Sequence, residues 1–189
     1  IPESIRCIEE KAFFNCESLL EITLPSSFKE MGNSIFTNCK KLKKVVFSLP
    51  SSLNRIQPHS FEGCTSLEEI TLPPFVDTFC ESSFNNCISL TNFVIPNTVT
   101  KLGLFCFSNC SSLKNVVFNN SIKTISESCF ESCTSLEEIA IPNSVNVIEN
   151  GCFKNCTSLK KVVFLSPNIL KIGVEFFYNC RSLTEIVIP

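Results

Sequence analysis

Apolar and polar positions along this chain recur with a long fixed period, and inside each period lies a short stretch of strict alternation. The clearest unit is CTSLEEIAIPNSVNVIENGCFKNC, from Cys133 to Cys156. Cysteines at positions 16, 39, 64, 87, 110, 133, 156 and 180 mark its phase, with steps of 23, 25, 23, 23, 23, 23 and 24 residues. Three residues before each stands a phenylalanine: Phe13, Phe36, Phe61, Phe84, Phe107, Phe130, Phe153 and Phe177. Three residues after each stands a leucine, from Leu19 to Leu183. A fixed period of this length is the signature of a solenoid, in which each unit contacts only its neighbours.

Six and eight residues after each cysteine come pairs such as Ile22 with Leu24, Val45 with Phe47, Ile139 with Ile141, and Ile186 with Ile188. Period-two alternation of β-branched and aromatic residues predicts short strands near 20–24, 43–47, 68–72, 91–95, 114–118, 137–141, 160–164 and 184–188. Stacked once per unit in one direction, they make a parallel sheet. Pro25, Pro73, Pro96, Pro142 and Pro189 follow strands directly, where a fixed φ and a missing donor end the pairing. Apolar residues return eleven and eight positions before the next cysteine, as in Val99 with Leu102 and Val145 with Ile148, and predict a second wall. The polar stretch leading into each phenylalanine, as in SESCF, predicts one turn of α or 3₁₀ helix. The extra residues of the two longer units fall in SLPSS and LSPN, predicted outer loops that leave the strand register intact. No single unit can enclose its own apolar positions, so the ~1.5–3 kcal/mol from burying each large side chain is realised only in the stack. The period makes residues 1–189 one domain of about eight 23-residue repeats, and both ends fall inside the repeat, as expected of a piece of a longer chain.

The pattern xSLxxIxIPxSVxxIxxxxFxNC, nearly intact from Ser135 to Cys156 and again from Ser89 to Cys110, resembles the BspA-like class of leucine-rich repeats, and the resemblance covers all eight units. It implies an α/β repeat fold: a right-handed leucine-rich-repeat solenoid with a parallel sheet on the concave face and short helical or irregular convex segments. It also implies adhesion and protein binding at the surface of bacteria or single-celled eukaryotic parasites. The glycine usual after the wall isoleucine is present at Gly103 and Gly173 but becomes Glu149, Ser126 and Gln57 elsewhere, so turn geometry is expected to vary there.

Charge narrows the choice of partners. Sixteen basic against 18 acidic residues, a net charge of −2, leave no positive excess to draw the chain to nucleic acid or anionic lipid. No apolar run reaches the ~18 residues of a spanning helix, so no membrane insertion is expected within this segment, and IPESIRCIEEKAFF lacks the features of a signal peptide. Thirteen cysteines suggest disulfides at first, but stacking places equivalent residues ~4.8 Å apart with side chains parallel, which predicts buried free thiols. The CxxxC pairs Cys106/Cys110, Cys129/Cys133 and Cys152/Cys156 lack the spacing and ligand number of zinc sites, since their first cysteine replaces Ala12, Ser60 or Ser83 of sister units. The single histidine, His59, lies in a variable loop and offers no evident base for a nucleophilic thiol. Neither enzyme activity nor a metal or other cofactor is therefore expected. Of the sequons at Asn109, Asn119 and Asn155, the first and last belong to the repeat's own Asn-Cys dipeptide and serve its turn, leaving Asn119 as the expected sugar acceptor.

Candidate function falls on the strand positions left facing out. Seven residues after each cysteine stand Thr23, Val46, Thr71, Val94, Val117, Ala140, Val163 and Val187, a mostly apolar stripe. Such a stripe marks a contact surface, or else records the strand preference of valine and threonine. Five residues after come Glu21, Lys44, Glu69, Asn92, Asn115, Glu138, Lys161 and Glu185. The alternating charges at each end are expected to pair across strands at ~0.2–1 kcal/mol each, leaving the uncharged centre to a partner. The candidate partner-binding residues are Thr71, Asn92, Val94, Asn115, Val117, Glu138, Ala140 and Val163. The reading is a monomeric, non-enzymatic protein-binding scaffold of a cell-surface or secreted adhesion protein; the alternative is a cytoplasmic scaffold or regulatory interaction module.

Overall fold

Each unit contributes one short and one long strand, and like strands stack in parallel through the computed structural model, which describes residues 1–189. The short strands are β1 (Cys7–Ile8), β3 (Glu30–Met31), β5 (Arg55–Ile56), β7 (Thr78–Phe79), β9 (Lys101–Leu102), β11 (Thr124–Ile125), β13 (Val147–Ile148) and β15 (Lys171–Ile172). The long strands are β2 (Glu21–Leu24), β4 (Lys44–Phe47), β6 (Glu69–Thr71), β8 (Asn92–Val94), β10 (Asn115–Val117), β12 (Glu138–Ile141), β14 (Lys161–Phe164) and β16 (Glu185–Val187). The long strands lie where the alternation places them. Most of their inward residues, such as Ile22 with Leu24 and Ile139 with Ile141, are buried. Both insertions stay in loops: Glu21, Lys44 and Glu69 remain in register across the first, and Glu138, Lys161 and Glu185 across the second. The prolines act as expected, with the carbonyls of Pro25, Pro96 and Pro142 each accepting from the amide three residues on.

Two expectations are corrected. The returning wall is a second parallel sheet, running unbroken from β5 to β15, so one solenoid carries two sheets. The third side contains no helix of any kind, and the fold is all-β in place of α/β. The cause is visible residue by residue. In every unit the residues five and one before the repeat cysteine have positive φ, for example Ser82 (51°) with Asn86 (59°) and Gly151 (58°) with Asn155 (61°). A right-handed helical turn cannot continue through a left-handed residue. Asparagine occupies the second of these positions in six units, and it adopts the left-handed region more readily than most side chains.

The geometry turns alternate amides toward the next unit. His59, Phe61 and Gly63 donate to the carbonyls of Glu81, Ser83 and Asn85, each at 2.9 Å. The same three bonds recur at Phe105, Phe107 and Asn109, which donate to Glu127, Cys129 and Glu131. The segment is a stacked turn ribbon whose hydrogen bonds run along the solenoid, where helical ones would stay inside a unit.

Between the three walls lies one cluster of 46 buried residues. At its centre the repeat phenylalanines form a continuous stack, with centroid separations of 5.3, 5.5, 5.4, 5.2, 5.4 and 5.5 Å from Phe13 to Phe153. Each ring covers its neighbours' faces, so removing one uncovers two. Phe130→Ala is expected to cost ~3–5 kcal/mol in urea denaturation. Amide exchange should accelerate in the flanking units of Phe107 and Phe153 as well; acceleration confined to the unit of Phe130 would contradict a shared core.

Candidate functional site

All eight candidate residues lie on the long-strand sheet, and all but the half-buried Val163 are exposed. The structure does not join them into one surface. The sheet is divided into three ladders, β2-β4-β6, β8-β10 and β12-β14-β16, so Thr71 belongs to the first, Asn92, Val94, Asn115 and Val117 to the second, and Glu138, Ala140 and Val163 to the third. The outer ladders carry charge. Lys44 meets Glu69 at 2.9 Å and Lys161 meets Glu185 at 2.9 Å, each lysine held above its ordinary pKa by the hydrogen bond to its glutamate. Glu21 and Glu138 share their register but form no ion pair with the same lysines. The central ladder carries no charge at this position: Asn115 Nδ2 donates to Asn92 Oδ1 at 2.7 Å, and beside that pair stand Val94, 68% exposed, and Val117, 54% exposed.

These two valines are so open because each has an unpaired neighbour. Val46 and Val163, flanked by paired strands on both sides, are half-buried. Val94 borders the break between β6 and β8, and Val117 the break between β10 and β12. The first break is the wider, with Cα atoms of β6 and β8 lying mostly more than 8 Å apart. It coincides with the bulkiest level of the core. Phe93 replaces the valine or isoleucine that other units place six residues after the cysteine, and Phe79 replaces a wall Ile, Leu or Met. Phe93 packs on Phe79, Phe84 and Phe107 at centroid distances of 5.9, 5.3 and 4.8 Å. Two additional rings thus crowd the core at the level of this break, while β5, β7 and β9 stay paired behind. Both substitutions stand in the sequence and are the signal that repeat-averaged reasoning passes over.

The cysteines are all free, and ten of the thirteen are buried. The repeat cysteines do more than fill space. Cys64, Cys87, Cys110, Cys133 and Cys156 each direct their thiol to the carbonyl of the phenylalanine one unit earlier, at 3.1–3.2 Å. Burial raises their pKa well above the usual thiol value, which makes them poor nucleophiles. His59 turns its Nδ1 to Glu62 Oε2 at 2.7 Å. No group of three or more His, Cys, Asp or Glu side chains is arranged to hold a metal ion. The expectation that Asn119 carries sugar is overturned. This side chain stands in the proline column, 5% exposed, donating to the Val99 carbonyl at 2.8 Å and to that of Pro96 at 2.5 Å. Its Oδ1 accepts the Ser121 amide at 2.6 Å, so its amide is committed to the corner.

A solenoid with parallel strands and inward columns of Leu, Phe and Cys defines a leucine-rich-repeat scaffold. The chain belongs to the BspA type of leucine rich repeat region, whose family model matches residues 1–100 and 77–189 in six copies. Comparison with curated protein sequences gives no match. Among solved structures it is similar to a leucine-rich repeat protein from Bacteroides ovatus, at 24% identity and a TM-score of 0.74, covering 98% of this chain and 64% of that one. It is also similar to a T. pallidum leucine-rich repeat protein, at 29% identity and a TM-score of 0.72, covering 97% of this chain and 76% of that one. A leucine rich cell surface protein from Faecalibacterium prausnitzii matches at 18% identity and a TM-score of 0.50, covering 97% of this chain and 83% of that one. The chain thus spans less than two thirds of the Bacteroides structure. The family is a non-enzymatic repeat scaffold typical of protein-interaction modules, and no helix here is long and apolar enough to cross a membrane.

The thiols make stability depend on alkaline pH. Burial lifts Cys39 and Cys180 from 9.0 to about 11, and the fully buried thiols rise further. Unfolding releases them to ionise near their ordinary value, so their stabilising contribution is complete below pH ~9 and is lost as pH rises from there through the folded values. Each thiol kept protonated removes ~1.4 kcal/mol per pH unit across that window. The urea midpoint should be flat between neutral pH and about 8 and fall steeply above 9; a Cys133→Ser variant, which keeps the donor but loses the titration, should show a shallower fall.

Proposed function

We propose that this chain is a non-enzymatic scaffold that binds a protein partner through the outward face of its long-strand sheet, the concave side of the solenoid. The observation that carries the reading is the uncharged central ladder, where Val94 and Val117 stand exposed beside the Asn92–Asn115 pair between two charged ladders. An apolar centre with a charged rim is the arrangement of protein interfaces, in which the centre supplies affinity and the rim orientation. Thr71, Glu138 and Ala140 border this centre from the adjoining ladders, and Val163 lies one strand further out on β14. The scaffold acts as a monomeric single domain of about eight repeats.

The partner is engaged at the cell surface, in adhesion or host recognition. Support comes from the family and from the cell-surface description of the Faecalibacterium relative. One observation favours a cytoplasmic interaction module instead: all thirteen thiols are free, which suits a reducing compartment.

The double variant Val94→Lys, Val117→Lys tests the face. Both side chains already reach solvent, so circular dichroism and melting should be unchanged while binding to intact cells or candidate surface proteins weakens by about tenfold or more. Unchanged affinity in the folded double variant moves the site off this sheet. Mapping of disulfides in protein isolated from its native compartment separates the two locations, since bridged cysteines would sink the cytoplasmic reading.

A further inference from the structure

The break between β6 and β8 is a built feature with its own chemistry. In a parallel ladder successive residues direct their amide and carbonyl groups alternately to either side. On β6, Glu69 bonds toward β4, with its amide on the Lys43 carbonyl at 3.1 Å, so the alternation directs Ile70 to the gap. On β8, Phe93 belongs to the β10 side, where the Ile95 amide and the Thr91 carbonyl are also engaged, so Asn92 and Val94 face the gap. Two strand edges therefore oppose one another with their main-chain groups unpaired. Most of their Cα pairs lie more than 8 Å apart, well beyond one ladder spacing of ~4.8 Å.

The floor of the gap is apolar. Ile70 and Leu72 are half-buried, whereas their counterparts Val45 and Phe47 one unit earlier are fully enclosed. With Leu90 and Phe93 they line a cleft of about 230 Å³. That is larger than the roughly 150 Å³ apolar cavity known to accept a benzene ring, so one large aliphatic or aromatic side chain fits. Behind the floor the units remain tied by the β5-β7-β9 ladder, by the turn ribbon, by the Cys87 thiol on the Phe61 carbonyl at 3.1 Å, and by the Phe61–Phe84 stack at 5.4 Å. The opening is thus confined to the strand wall.

We propose that this gap receives an extended segment of the partner protein, which completes the sheet by pairing with β6 on one edge and β8 on the other and places one large apolar side chain over Ile70, Leu72 and Phe93. The inference rests on the protein-binding reading above and names its mode. Pairing of an added strand supplies affinity through the main chain, and the cleft supplies selectivity through a single side chain. Insertion between two edges differs from ordinary edge addition because both alternating sets of the peptide's amides are used.

The test starts without any ligand. Phe93→Val installs the residue type of the other units, and it should let β8 close on β6, slowing amide exchange at Ile70, Asn92 and Val94. Unchanged fast exchange there in a folded variant overturns the wedge. A displayed library of linear peptides panned against the wild-type chain should yield binders with a central large apolar residue that protect those same three amides. N-methylation of either alternate set of peptide amides should weaken binding by about tenfold or more, as should Phe93→Val. A library that yields no binder, or binders weakened by only one of the two methylation patterns, overturns insertion. If a protein partner is lost in the Val94→Lys, Val117→Lys variant but binds Phe93→Val unchanged, the face stands and the gap falls; the reverse result keeps the gap and removes the face.

Discussion

Translation by one ladder spacing governs this molecule. Whatever group a unit places at a given position meets its own copy ~4.8 Å above and below, so only groups that tolerate stacking on themselves can occupy the interior columns. Phenylalanine satisfies this by offset stacking at 5.2–5.5 Å through most of its column. Cysteine satisfies it as a small side chain that also donates to the carbonyl of the preceding unit. A charged interior column would set like beside like with no relief, and none occurs; charges appear only on outward positions, where lysine can alternate with glutamate.

The same translation explains why the hydrogen bonds run along the axis. Two-residue strands would be negligible in isolation, yet β5 to β15 form one continuous sheet because each bond is buttressed by the units on either side. The turn ribbon applies the principle to irregular backbone. Left-handed residues such as Asn86 and Asn109, each costly alone, become tolerable when every unit repeats them and the freed amides find partners one unit on.

Much of this was legible in the chain itself. Period-two pairs such as Ile139 with Ile141 placed the long strands to within a residue, and the invariant Phe and Leu phases identified the core. The second sheet was hidden because its strands are two residues long, too short for alternation to show. The turn ribbon is not legible from polar spacing, which fits a helical turn equally well and does not reveal the sign of φ, although the recurring asparagine before the cysteine points to it. The role of Asn119 is equally hidden, because a loop-like sequon says nothing of the corner whose carbonyls it satisfies. The outward orientation of these strand positions was legible from the alternation, whereas the break between β6 and β8 was not, since it coincides with the way Phe79 and Phe93 share volume across units, a non-local property.

One consequence concerns mechanics. The solenoid has one wall that is a single strip from β5 to β15 and an opposite wall cut into three panels. Such a laminate resists stretching on its continuous side and bends at the seams of the other, so changes of curvature concentrate at two joints instead of spreading over eight units. The panels behave as stiff plates of three, two and three strands.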